Sequence, residues 1–392
     1  MPERLAFGDV PRKHHLAARG ASGELRYEEC LTRKGFDGPY TILYHERRPQ
    51  ALRAVGPALV EPLEALPRGA YEGAARRHFR TSGLTRGRST ATPLLFNADL
   101  VLGCLQPSAS DEAYRINAGA DELLFVLEGT GLVRSALGDL SFTAGDYVLL
   151  PKGVLYRLVF DAPGLRHLLS LEFAGGVGIP GRFRNGAGQL RMDAPYCHRD
   201  FRHPVFRGPQ DEGLREVWIK RGSERQRFVY DHNPLDVVGW DGCVYPWAFP
   251  ILSFQPRVSS VHLPPTWHGT FEGAGALVCS FVPRPLDFHP EAVPCPYAHT
   301  SADVDEVLFY VDGDFSSRLG VERGSITLHP GGLPHGPHPG RYEASIGAKR
   351  TEEVAVMLDC TAPLNVTKLA ASVEDASYEA SFSDTSSAIA AT

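Results

Sequence analysis

Apolar residues along this chain come in short alternating or continuous runs, each closed by turn-forming residues. GLVRSALGDLSFT (131–143), DYVLLPKG (146–153), LYRLVF (155–160), LLSLEF (168–173), ALVCSFV (276–282), EVLFYVDG (306–313), SITLHP (325–330) and EVAVMLD (353–359) are of this kind. Runs of four to eight residues with a period near two, bounded by Gly, Pro, Asn or Asp, predict β-strands. So many short strands predict an all-β sandwich or barrel. Helical periodicity is weak, and the stretch 59–90, containing PLEALPRGAYEGAARRHF, is the best candidate for a helix. From residue 373 to 392 the chain turns small and polar, which predicts a disordered tail.

One spacing pattern occurs twice. In the C-terminal half, His299 is followed after six residues by Glu306, and after six more by Gly313. Gly324 then precedes Pro330 by five intervening residues, Gly332 by one more, and His335 by two more. These are the two motifs of a cupin barrel: a strand pair carrying His and Glu inward, and a Pro-Gly turn leading to a second His. Tyr297 stands where many cupins have a further histidine. The N-terminal half repeats the skeleton in Glu122 to Gly129 and in Gly145, Pro151 and Gly153, but Tyr156 occupies the closing histidine position. The upstream segment RINAGAD offers asparagine and no histidine. The fold expected is therefore an all-β bicupin, two double-stranded β-helix (jelly-roll) barrels with few helices. Residues 1–220 are expected to form an N-terminal barrel lacking ligands, and 221–372 a C-terminal barrel carrying a metal.

Two imidazoles and one carboxylate, His299, Glu306 and His335, leave coordination positions open, the pattern of non-haem Fe(II) oxygenases. Fe(II) is the expected cofactor, with no organic one. His329 precedes His335 by six, an even spacing that puts both on one strand face if the Pro-Gly turn keeps register; a catalytic acid/base role is expected for it. His338 is placed either on the rim or against substrate. Composition then narrows the partners. A net charge of −6 argues against a nucleic-acid binder. No apolar run reaches the length of a membrane span, and MPERLAFGDVPRKHH lacks a secretory apolar core. Seven cysteines, never CxxC, suit reduced thiols. A cytoplasmic protein with no nucleic-acid or membrane partner is expected.

NPLDVVGWDG (233–242), EVLFYVDGDF (306–315), GSITLHPGGLPHGP (324–337) and GAKRTEEVAVMLD (347–359) resemble the homogentisate 1,2-dioxygenase family, with GDVPRKHH (8–15) extending the likeness. The resemblance implies Fe(II) on His299, Glu306 and His335, His329 at the substrate site, and an upstream catalytic histidine, placed at His262 in His-Leu-Pro-Pro with His268 as its rival. His335, Phe315, Tyr297 and His268 are expected against the substrate, with Arg323, Arg284 or Lys349 meeting a substrate carboxylate. It also implies a small para-diphenol, O2 as co-substrate and a homo-oligomer. Homogentisate would be opened to maleylacetoacetate, a step of tyrosine catabolism. Three positions depart from the family: the seven-residue step from His299 to Glu306, for which a one-residue bulge is expected; Phe315 in place of a substrate-holding tyrosine; and Asp241 after DVVGW. These departures keep a different hydroxylated aromatic open as substrate, and the bicupin skeleton also serves metal-dependent isomerases or lyases that use no O2.

Overall fold

A computed structural model describes residues 3–67, 75–315 and 317–383. Nearly all regular structure is β; two short α-helices, Arg341–Ser345 and Lys368–Ala371, occur among the described residues. The chain forms two compact units. The first takes Met1–Leu63, Arg86–Ala91 and Leu105–Pro250; the second takes Glu64–Thr85, Thr92–Cys104 and Ile251–Thr392.

In the first unit the predicted runs are strands. Gly131–Ser135 and Gly138–Phe142 form a hairpin, which continues through Tyr156–Phe160 and Tyr114–Asn117 to Glu216–Arg221, Glu224–Tyr230 and Leu52–Val60. Facing it are Trp247–Pro250, Asp146–Leu150, Asp121–Glu128 and His167–Phe173. The alternating apolar positions of both sheets meet in one core of Leu124, Val126, Val133, Leu140, Phe142, Val148, Leu158 and Leu168, all essentially without solvent contact. Burial of such side chains is the main stabilising term, roughly 1.5–3 kcal/mol each.

The second unit repeats this plan around a sheet ordered Gly269–Gly273, Ala276–Phe281, Val354–Cys360, Asp305–Asp312, Ser325–His329 and Arg77–Arg80. The shared Gly skeleton has a backbone reason. Gly153 and Gly332 both turn with positive φ, 87° and 81°, immediately before the strand or bridge that carries Tyr156 or His335. A side chain there would strain the turn.

Three expectations are corrected. Arg77–Arg80, inside the expected helical stretch, is a strand paired with Ser325–Leu328; helix-favouring composition yields to the burial of Phe79 and His78. Residues 68–74 of that stretch lie outside the described residues. The boundary between units falls after Pro250 rather than residue 220, because Glu216–Tyr230 and Val237–Gly242 are built into the first unit's sheets. The expected tail is structured through residue 383: Glu374 bridges Phe79, Glu379–Phe382 make a 3-10 turn, and Tyr378 is 3% exposed. Residues 384–392 lie outside the described residues.

Candidate metal centre

Glu306 is the second residue of a strand whose neighbours place His329 directly opposite on one side and Asp359 on the other. Directly opposed residues share a sheet face, so Glu306 and His329 meet inside the barrel. His299 and His335 are brought together by backbone rather than by a regular strand: each donates its N–H to the other's carbonyl at 2.8 Å. Their ring centroids are 4.3 Å apart. The nitrogen Nε2 of His299 lies 3.8 Å, and that of His335 3.7 Å, from Glu306 Oε2. One ligand atom from each of the three residues falls within 4.8 Å of the others, and no second such group exists among the described residues. The seven-residue step is absorbed not by a bulge but by a loop, because His299 stands outside the glutamate strand, in the bridge with His335, and residues 300–304 carry the chain across.

The donor set fits a divalent cation. His335 Nδ1 donates to the Leu333 carbonyl at 2.9 Å, which turns Nε2 toward Glu306 and His299. That nitrogen is buried and has no hydrogen-bond partner. An unpaired buried polar atom costs about 1–3 kcal/mol, and a metal is a partner that an imidazole lone pair can take. Glu306 is ionised. Burial alone would raise its carboxyl, but the imidazoles of His329 and His335 outweigh burial and hold it well below the usual carboxylate range. Arg318, itself buried, adds a guanidinium 3.9 Å from Glu306 Oε1 and donates to the Gly336 carbonyl at 2.6 Å.

Glu306 and His299 line a cavity of about 990 Å³, its open mouth included, within the second unit. His262, His268, Tyr297, Arg284 and Arg318 also line it. The ring of His262 stands edge-on to Tyr297 at 5.2 Å, with Nδ1 3.9 Å from Asp287 Oδ2. Burial depresses the His262 pKa, so the ring is neutral at pH 7. His268 is more deeply buried, pushed down to about 3 chiefly by burial, and packs on Phe281. Of the three cations expected near a carboxylate, Arg284 lines the cavity; Lys349 is exposed, and the Arg323 guanidinium donates to the Val311 carbonyl.

Four residues expected at or near the substrate, His329, His335, Phe315 and His338, do not line the cavity. His329 is fully buried, does not line the cavity, and has both ring nitrogens engaged, by Glu306 Oε1 at 2.8 Å and by the Tyr378 hydroxyl at 3.2 Å. Both of its nitrogens face protein partners there rather than the cavity. Its face-sharing with His335 holds: the two rings stack with centroids 4.9 Å apart. Phe315 packs on Tyr310 and also stands off the cavity, so its missing hydroxyl is no loss to that space. Asp241 belongs to the first unit, where it pairs with Arg4 at 2.9 Å. His338 is neither on the rim nor in the cavity but buried against Phe382. Sequence reasoning missed Arg318 and Tyr378, which come from a loop and from a segment read as tail.

In the first unit the corresponding positions are closed. Tyr156 donates its hydroxyl to Glu122 Oε2 at 2.8 Å, and Lys220 pairs with Glu172, which sits opposite Glu122. Burial and the neighbouring Glu172 raise Glu122 to about 7.

Comparison with known proteins gives one family match, to the N-terminal model of homogentisate 1,2-dioxygenase, over residues 101–251. A Saccharolobus solfataricus protein named "Putative dioxygenase" is 33% identical over 96% of this chain and 97% of its own length. A homogentisate 1,2-dioxygenase of Nitrobacter hamburgensis is 27% identical over 64% of this chain and 58% of its own length; that of Rhizobium rhizogenes is 26% identical over 76% and 66%. Among solved structures, a cupin 2 conserved barrel domain protein from Leptotrichia buccalis covers 72% of this chain and 91% of its own, at 10% identity and a TM-score of 0.31. No helix among the described residues is long and apolar enough to cross a membrane.

Proposed function

The chain belongs to the homogentisate 1,2-dioxygenase family, and from that premise we propose that it is an Fe(II)-dependent ring-cleaving dioxygenase that opens a para-diphenol carrying an acidic side chain, homogentisate being the first candidate. Its membership makes it an oxidoreductase; the metal and the substrate are the proposal. The observation that carries it is the unpartnered Nε2 of His335, set beside Glu306 and His299, two residues that line a cavity open to solvent.

His299, Glu306 and His335 would hold the iron. Bound Fe(II) supplies the Lewis acid and redox centre that ring opening by O2 requires. The chain's own residues do the rest. His262, neutral and at the cavity wall, accepts the proton of the substrate hydroxyl, and Asp287 stabilises the imidazolium that forms. Arg284 receives the side-chain carboxylate. It is half-buried at the cavity wall, and a partly desolvated cation there favours an anionic ligand. Tyr297 packs on His262 and limits the mouth. Homogentisate and O2 combine without loss of atoms to give maleylacetoacetate.

The test is O2 uptake by Fe(II)-loaded protein prepared without air and given homogentisate, gentisate or hydroquinone. Uptake of one O2 per homogentisate, with a new absorbance from the opened ring, is the expected result. Uptake with hydroquinone alone would remove the carboxylate from the reading, and uptake with none of the three would remove the reaction.

A further inference from the structure

The segment Glu374–Phe382 is held to its unit by a row of polar contacts. Arg77 pairs with Glu374 at 2.6 Å, Arg80 with Asp375 at 2.8 Å, and Arg76 with Glu379 at 2.7 Å. His338 Nε2 meets the Ser381 hydroxyl at 2.8 Å, and its ring stacks on Phe382 with centroids 3.9 Å apart. This docking drives Tyr378 inward. Its ring lies nearly parallel to that of His329, at 11°, and its hydroxyl is 3.2 Å from His329 Nε2.

The two contacts of His329 demand one consistent proton arrangement. Ionised Glu306 can only accept, so His329 Nδ1 carries the hydrogen and donates to Oε1. Nε2 is then the acceptor, and the Tyr378 O–H donates to it. We propose that Tyr378 is a positioning residue for the metal centre: through His329 it fixes the tautomer and rotation that hold the Glu306 carboxylate, so that the segment 374–382 is a strap on which metal affinity depends. This deepens the reading given under Proposed function and rests on it. Hydrogen-bond partners one layer behind a metal ligand set its orientation, and losing one typically weakens binding by about 10- to 100-fold. The register supplies the reason the layer is needed. Glu306 stands between His329 and Asp359 on neighbouring strands, and its Oε1 is claimed by His329 while Oε2 faces His299 and His335. Without the bond at Oε1 the carboxylate is free to rotate away from those two nitrogens.

The experiment uses Co(II), titrated into metal-free full-length protein and followed by its visible absorption and by chelator competition. Tyr378→Phe removes one hydroxyl and is expected to weaken Co(II) about tenfold, with a changed absorption band. His329→Leu is expected to weaken it at least as much, and the double variant no more than His329→Leu alone, because the hydroxyl acts only through the ring. Phe382→Leu, which loosens the strap's packing but removes neither hydrogen-bonding group, is expected to weaken Co(II) by clearly less than Tyr378→Phe does. Unchanged binding in Tyr378→Phe overturns the proposal. So does an equal loss from Tyr378→Phe in the presence and absence of His329, or a loss in Phe382→Leu matching that in Tyr378→Phe, since either makes the strap mere packing. Wild-type protein that takes up no Co(II) overturns the site reading as well, an outcome distinct from the other three.

Discussion

Glu306→Gln keeps the shape of the side chain and its acceptor for His329 but removes the charge, and the consequence should be visible with no metal present. Arg318 lies 3.9 Å from Glu306 Oε1, and both side chains are about 6% exposed. At an effective dielectric near 20, opposite charges at that distance attract by about 4 kcal/mol. The Gly336 carbonyl still accepts from Arg318, which offsets part of the loss. Breaking one partner of a buried pair commonly costs about 3–5 kcal/mol. We expect metal-free Glu306→Gln to be about 3 kcal/mol less stable than metal-free wild type at pH 7.5, a fall of roughly 6–12 °C in the transition of this unit. The sign with pH follows from the depressed carboxyl. A carboxylate whose pKa is lower in the folded state contributes stability in full above its ordinary value of about 4.5, and loses it as the pH falls toward the folded-state value. The gap between variant and wild type should therefore narrow on acidification below that point. Chelator-stripped proteins melted at pH 7.5 and at pH 4 decide the matter. Equal melting temperatures at pH 7.5, or a gap that widens in acid, would refute the account of Glu306 as a charge held in place by its own surroundings.

Four further outcomes are expected. His335→Ala and His299→Ala should each lower bound metal from one equivalent to well under half at micromolar concentrations, measured by elemental analysis after desalting. Arg284→Met should raise KM for homogentisate by about 10- to 100-fold, the worth of a hydrogen bond to a charged group, while KM for hydroquinone stays put; steady-state O2 uptake separates the two. His262→Ala should retain iron and lower kcat by about 10²- to 10⁴-fold if it carries the proton, and full activity would dismiss it. In the first unit, His45 is held between Asp236 at 2.7 Å and Glu29 at 3.0 Å, and these carboxylates outweigh burial and raise it to about 9. A raised histidine stabilises fully below about pH 6.5 and loses that contribution as pH climbs through 9. Wild type should then shed about 2–3 kcal/mol between those limits, less than the full shift implies because Glu29 is half-exposed, and urea unfolding of Asp236→Asn should show a flat profile there.

What the sequence made legible is what the backbone dictates at short range. Strand runs such as EVLFYVDG and EVAVMLD alternate because one face meets the core, and the Gly and Pro positions recur because the turns before Tyr156 and His335 need positive φ. The ligand spacing rides on those turns, so the three residues were readable as a set and they converge. The second layer was not readable. Tyr378 is 49 residues from His329 and sits in a stretch of serine, alanine and glutamate that local composition assigns to solvent. The segment that buries it is tied down by ion pairs to Arg77 and Arg80, from a strand about 300 positions earlier that itself reads as helical, and to Arg76 just before that strand. Arg318 gave no signal either, since a loop arginine beside Ser and Leu is indistinguishable in sequence from a surface one. His329 was placed on the same face as His335, which the stacked rings bear out, but spacing says which way a side chain points and not which partners occupy its nitrogens.

The contrast between the two units shows why a shared skeleton carries unequal chemistry. Each barrel places a glutamate in the second position of the corresponding strand, Glu122 half-buried in one and Glu306 buried in the other, and each must find that carboxyl its partners. In the first unit a phenol does it. Tyr156 donates one neutral hydrogen bond, and Glu122 rises to about 7. Arg115 stands opposite Tyr156 as His299 stands opposite His335, and its guanidinium is taken by Asp111. In the second unit the closing residue is an imidazole whose outer nitrogen is left bare while its inner one is locked to Leu333. Histidine at that position is less well satisfied in the isolated protein than tyrosine is in its counterpart. A residue that is worse for folding, surrounded by others that hold it rigidly in that state, is what a binding site looks like before its ligand arrives.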